Sequence, residues 1–173
     1  MKYAFLRKLF IIIFQKGGYN KMKWSTDDIP SFVKERQYVD TALVPLLPID
    51  FGDGIRQSSA MTEFITVMTA EIERQFRGRM LLVPPFTYLE TKDIEESCKE
   101  VERWIHHMKE EQVKHVVLIT ADPSWKKVEA ELDELLMWMP LVPFENMDAD
   151  YKKQVISEQI KQLIPLVMDK WKD

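Results

Sequence analysis

Apolar positions along this chain follow two rhythms. Short, almost unbroken apolar runs occupy residues 41–49 (TALVPLLPI), 80–83 (MLLV) and 115–120 (HVVLIT), and each reads as a strand. The last is the clearest, β-branched and apolar toward both faces, as a parallel sheet covered by helices on each side requires. Pro45 removes a ladder donor from the first run and predicts a bulge, a strand end or a sheet edge there.

Between these runs the apolar residues fall three and four apart. Met61, Phe64, Ile65, Met68, Ile72 and Phe76 predict a helix over about 57–77 closed by Gly78. Ile94, Cys98, Val101, Ile105 and Met108 predict another, opened by Thr91 and running to about Gln112. Upstream, Ser25 is an N-cap for a helix with Asp27 and Asp28 in its first turn, Pro30 early enough not to break it, and Ile29, Phe32 and Val33 as its apolar stripe. Val128, Leu132, Leu135 and Leu136 predict a fourth helix capped by Ser124, after which 138–144 reads as a last strand at the sheet margin, given Pro140 and Pro143. A final helix begins at Asp148 or Asp150, turns Tyr151, Val155, Gln159, Ile160, Leu163, Val167 and Trp171 inward, and kinks near Pro165.

Strands alternating with helices demand right-handed crossovers. The expected fold is α/β, a three-layer sandwich with a mostly parallel sheet of about four strands flanked by about five helices. Short loops and no internal repeat make residues 22–173 one domain.

Residues 1–21 follow a different pattern. All five of their charges (Lys2, Arg7, Lys8, Lys16 and Lys21) are positive, and their apolar run covers only 9–14. That is far short of the roughly 20 apolar residues of a transmembrane helix, and Gln15-Lys16-Gly17-Gly18 is no signal-peptidase site. Lys16-Gly17-Gly18 can be encoded by a purine-rich ribosome-binding sequence placed just before Met22, which makes translation from Met22 the expectation. A weak interfacial membrane segment or an ordered helix are the alternatives.

Composition narrows the class of function. Among 173 residues, 46% hydrophobic, there is one cysteine, Cys98, so no internal disulfide is available and a reducing cytoplasm is the expected compartment. Acidic residues outnumber basic ones 28 to 24, and without residues 1–21 the ratio becomes 28 to 19. This balance disfavours nucleic acid and favours a basic protein partner.

Candidate chemistry gathers beyond the carboxyl ends of the strands, where open parallel sheets bind ligands. Those ends hold Asp50-Phe51-Gly52-Asp53-Gly54, Phe86-Thr87-Tyr88, Asp122-Pro123-Ser124-Trp125 and Glu145-Asn146. Asp50, Asp53, Asp122 and Glu145 offer carboxylates for a hard cation such as Mg²⁺, with Phe51, Tyr88 and Trp125 as apolar walls. The alternative is that each Asp or Ser caps a helix or closes a turn. Gly52-Asp53-Gly54 lacks the third glycine of a dinucleotide loop and carries a negative charge where phosphate would sit. His106 and His107 are consecutive on a helix and diverge by roughly 100°, so they do not share a metal, and Cys98 lies on a buried stripe. No G-x-S-x-G elbow occurs. No catalytic residue, metal ligand set or cofactor is therefore assigned. Trp125, Trp138 and Trp171, near element ends, are either core or interface anchors.

From Met22 the segments MKWSTDDIPSFVKERQYVDTALVPLLPI, MLLVPPFTYLE and HVVLITADPSW resemble the YpiF-like family of uncharacterised cytoplasmic proteins of Bacillus and relatives. The resemblance spans residues 22–173, agrees with a start at Met22 and implies no activity. Genes of that family tend to lie beside those of a menaquinol:cytochrome c reductase, which implies at most an accessory role near the respiratory chain, with membrane contact only if residues 1–21 are native. The order ALVPLLPIDFGDG, MLLVPPFTYLE, VVLITADPSW also resembles the opening of creatininase-type amidohydrolases, without their Glu and His metal ligands. The leading expectation is a non-catalytic cytosolic interaction factor; the alternative is a divalent-metal or small-ligand enzyme working at the strand ends.

Overall fold

A computed structural model describes residues 22–90 and 93–172. Its central strand is β1 (Thr41–Ile49), whose first eight residues are all buried. Three further elements follow: helix α2 (Ile55–Gln75), strand β2 (Met80–Leu82) and strand β3 (Phe86–Leu89). Helix α3 (Ile94–Glu110) leads to β4 (His115–Thr120), β5 (Leu135–Trp138) and helix α4 (Ala149–Lys170). A short helix, α1 (Ile29–Glu35), precedes β1. Every strand pairing is parallel: β2 and β3 both lie along one edge of β1, β4 along the other, and β5 outside β4.

The expected α/β class and parallel sheet hold; among the described residues there are five strands where about four were expected, and four α-helices where about five were. The extra strand comes from Pro84-Pro85. Leu43 pairs with Leu82 and Leu46 with Phe86, so three steps on β1 face four on its neighbour, one residue is added, and the two prolines lie within the resulting bulge. Pro45 lies opposite that bulge in the central strand, not at an edge. Thr41 N donates to the Arg79 carbonyl and the Leu43 carbonyl accepts from Val83 N, so odd-numbered β1 residues turn their backbone groups toward β2. The missing Pro45 donor therefore faces the β2–β3 interruption. Pro48 points the other way, beyond Thr120, the last residue of β4.

The predicted fourth helix is absent. Residues 123–131 form two 3₁₀ turns, Pro123–Lys127 and Glu129–Glu131, and Leu135 and Leu136 belong to β5, paired with Val117 and Leu118. The last strand is thus Leu135–Trp138 and not 138–144, which is irregular. Asp122 rather than Ser124 caps the first turn. Asp93 caps α3; Thr91, the expected cap, lies outside the described residues, as does the segment 1–21. Ser25 opens a turn rather than the helix itself, its hydroxyl accepting from Asp28 N, and α1 starts at Ile29. Asp148 caps α4 by accepting from Asp150 N and Tyr151 N, and the helix runs continuously through Pro165.

The alternation of β1 side chains splits the core in two. Leu43 and Leu47 pack with Phe64, Ile65 and Met68 of α2 and Ile160 and Leu163 of α4. Ala42, Val44 and Leu46 pack with Cys98 and Val101 of α3 and with Trp125. Both faces are covered, the layering of a three-layer sandwich. Each fully buried Leu, Ile, Phe or Met contributes roughly 1.5–3 kcal/mol. Trp171 closes the first layer: its indole donates to Thr41 Oγ1 at 2.8 Å and it packs edge-on to Phe76. Near the start of β5 the buried Glu134 carboxylate joins Lys109 of α3, Lys170 of α4 and the Val116 amide of β4.

Candidate functional site

The chain leaves β1 toward β2 and leaves β4 toward β5, in opposite directions across the sheet. The carboxyl ends of these adjacent strands form the topological switch point where ligands of open α/β sheets bind. Asp50 stands at one side of it and Asp122 at the other.

Asp50 follows the last residue of β1, and its carboxylate folds back onto the loop leading into α2. Oδ1 accepts from Gly52 N at 2.7 Å and Oδ2 from Gly54 N at 2.7 Å, while Ser58 Oγ lies 3.3 Å from Asp50 N. A Cβ on Gly54 would come within 2.3 Å of Oδ2, so the Asp50 carboxylate keeps its bond to Gly54 N only while residue 54 lacks a side chain. The backbone donors that a phosphate would need are occupied by the chain's own carboxylate.

Asp122 is 4% exposed. The Thr120 hydroxyl, which donates to the Leu46 carbonyl at 3.1 Å, accepts from Asp122 N at 3.1 Å and sets the turn beyond β4. Asp122 Oδ1 then accepts from Ser124 N at 2.9 Å and from the Ser124 hydroxyl. Oδ2 accepts from the Tyr88 hydroxyl at 2.6 Å, and the Tyr88 oxygen accepts from Trp125 Nε1 at 2.8 Å. Trp125 is fully buried and meets the Tyr88 ring edge-on at 5.6 Å. Burial, reinforced by the bond to Asp122, pushes the Tyr88 phenol well above its ordinary range, so it donates a proton here and does not abstract one.

The structure therefore brings Tyr88, Asp122 and Trp125 into one buried chain of hydrogen bonds and places Asp50 in a separate ring of backbone donors. Asp53 and Glu145 are exposed on their loops and take no part in either network. Among the described residues no three His, Cys, Asp or Glu side chains converge as a metal site would require. Cys98 is buried, and desolvation followed by the Glu102 and Glu131 charges pushes its thiol up to about 11, which suits a core residue and not a nucleophile. Trp171 is likewise a packing residue, and Trp138 lies beneath the Lys126 ammonium at 3.3 Å.

The sequence reading missed Glu90, Ile55 and Leu89 at this face. Burial, then the Asp122 and Asp50 charges, raise the Glu90 carboxyl above its ordinary value, which marks a negative field there. Phe51 is 82% exposed, and Ile55 at the start of α2 and Leu89 at the end of β3 are also exposed. Leu89 pairs with Ile49 in register, and the apolar–polar–apolar alternation of Phe86, Thr87 and Tyr88 is the sequence signal for this edge strand.

Among the described residues no helix is long and apolar enough to cross a membrane. No solved structure matches the chain. An uncharacterised protein, YpiF of Bacillus subtilis strain 168, is 28% identical over 153 residues, covering 87% of this chain and 98% of that protein. A family described as "Protein of unknown function (DUF2487)" matches residues 30–171. The chain belongs to this family, whose function its description leaves open.

Proposed function

We propose that the protein is a non-catalytic cytoplasmic accessory factor that acts by binding a basic protein partner through the face at the carboxyl ends of β1 and β3. The observation that carries this reading is the loop 50–54. Its backbone is tied at two points by the Asp50 carboxylate, and the residue it holds out, Phe51, is 82% exposed. An aromatic on a fixed loop loses little conformational freedom on binding, which is how interface anchors gain affinity. Ile55 and Leu89 extend the apolar surface, while Asp53 and Glu90 give it negative charge. The self-bonded state of Asp50 and Asp122 also supports a contact role, because neither carboxylate is left facing a reactant.

The test is quantitative affinity purification from the native organism with wild-type protein and Phe51→Ala as baits. The reading expects at least one partner that wild type enriches and Phe51→Ala loses about tenfold or more, with the far-UV circular dichroism of the two baits identical. Identical sets of co-purifying proteins for both baits would reject it.

A further inference from the structure

A groove of about 930 Å³ runs between α2 and α4. Its floor is aliphatic, formed by Val67, Ala70, Ile156, Ile160 and Ile164. Its rim is cationic, and its charges are unequally satisfied. Glu71 is held by Arg74 at 2.5 and 2.8 Å and by Gln75 at 2.9 Å, which with the nearby Arg77 keeps its carboxyl below the ordinary range. Glu73, 1% exposed, accepts from Met22 N at 2.9 Å. Both acidic residues of the groove are thus engaged. Among the described residues Lys23, Arg77 and Lys161 have no salt-bridge partner, and the buried Arg77 Nε has no hydrogen-bond acceptor. Lys153 approaches only Asp150, at 3.7 Å.

A protein with more acidic than basic residues has gathered Lys23, Arg77 and Lys161, none of them in a salt bridge among the described residues, along one apolar cleft, which focuses a positive potential there. We infer that this groove docks an acidic amphipathic helix of a partner protein, its apolar face on Val67, Ile156 and Ile164 and its carboxylates against Lys23, Arg77 and Lys161. A cleft between two long helices is the geometry of helix-in-groove recognition, in which only one face of the ligand needs cover. An acyl chain would be left partly in water, whereas small-molecule sites bury most of the ligand. Residues 1–21 of this chain carry five positive charges and no negative one, so their charge is not complementary to that of the rim. The inference rests on the reading of the protein as a contact factor and adds a second surface, opposite in charge to the Phe51 face.

The test pans a phage-displayed library of 20-residue peptides against the full chain and measures the enriched peptides by fluorescence anisotropy. The enriched sequences are expected to carry net negative charge with apolar residues spaced three and four apart. The double variant Lys153→Glu/Lys161→Glu, at two exposed positions, should weaken binding at least tenfold, and added salt should weaken it further. Phe51→Ala should leave peptide affinity unchanged, so that failure here and failure of the strand-end reading are separable. No enrichment over the unselected library, enrichment of neutral or basic peptides, or equal affinity for the charge-reversed variant would overturn the inference. Displacement of the peptide by laurate or anionic vesicles would assign the groove to lipid, and a dimer of the protein alone that the double variant dissolves would assign it to a second copy; either result rejects the inference.

Discussion

The Tyr88 hydroxyl donates to Asp122 Oδ2 at 2.6 Å while accepting from Trp125 Nε1 at 2.8 Å, so one phenol oxygen joins β3 to the turn beyond β4. The bond runs from a tyrosine on the outer strand to an aspartate on a loop two strands away, across the C-terminal end of β1. Tyr88→Phe keeps the ring packing and removes both bonds. It leaves a buried carboxylate oxygen and a buried indole N–H without this partner, at a cost of about 3 kcal/mol. Urea unfolding should show a lower midpoint with an unchanged slope. A midpoint within error of wild type would mean that the network contributes nothing to stability.

Asp50 and Gly54 should behave as a coupled pair. Gly54→Ala in wild type forces its Cβ against Asp50 Oδ2 and costs about 1–3 kcal/mol. Asp50→Ala removes the loop's acceptors and costs about 1 kcal/mol, as loss of a capping side chain does. In the double variant the clash is gone, so the combined cost should fall short of the two single costs by at least about 1 kcal/mol. Simple additivity in a double-mutant cycle would show that the carboxylate does not hold the loop in solution.

Alkaline pH should destabilise the fold. In the unfolded chain a thiol ionises near pH ~8.5 and a phenol near ~10, whereas Cys98 is held up to about 11 and Tyr88 is also raised. The native state therefore binds more protons than the unfolded state across this window, and stability falls as pH rises from about 8.5. Urea midpoints at about pH 8, 9.5 and 10.5 should decline in that order, and Tyr88→Phe should flatten the upper part of the decline. A constant or rising midpoint would contradict both assignments.

How much of this was legible in the sequence depended on whether the deciding interaction was local. β1, β4 and the long helices α2, α3 and α4 carry their own periodic signal, because burial on one or two faces of a single element dictates the spacing. β5 did not. Leu132, Leu135 and Leu136 have helical spacing, but Leu135 and Leu136 take their conformation from pairing with Val117 and Leu118, a non-local contact that local periodicity does not carry. β3 was hidden for the opposite reason: Pro84-Pro85 reads as a stop, and here it marks a bulge after which the same edge resumes. The site was legible as a place and not as a structure. Loop composition located Asp50 and Asp122 at the strand ends, but the Tyr88–Trp125 bond spans 37 residues and follows only from the strand order. Glu73 is a similar case. Four residues after Thr69 and three before Phe76, it sits on the buried face of α2, and the spacing was present in the sequence even though its charge argued against burial.

The carboxylates of the switch point accept hydrogen bonds from the chain's own donors. The most direct measurement is isothermal titration of Mg²⁺ and of Mn²⁺ into the wild-type protein, repeated on Asp50→Ala and Asp122→Ala. No saturable heat is expected for either ion in any of the three proteins. Stoichiometric binding by wild type that both substitutions abolish would contradict this and restore the strand ends as a metal site.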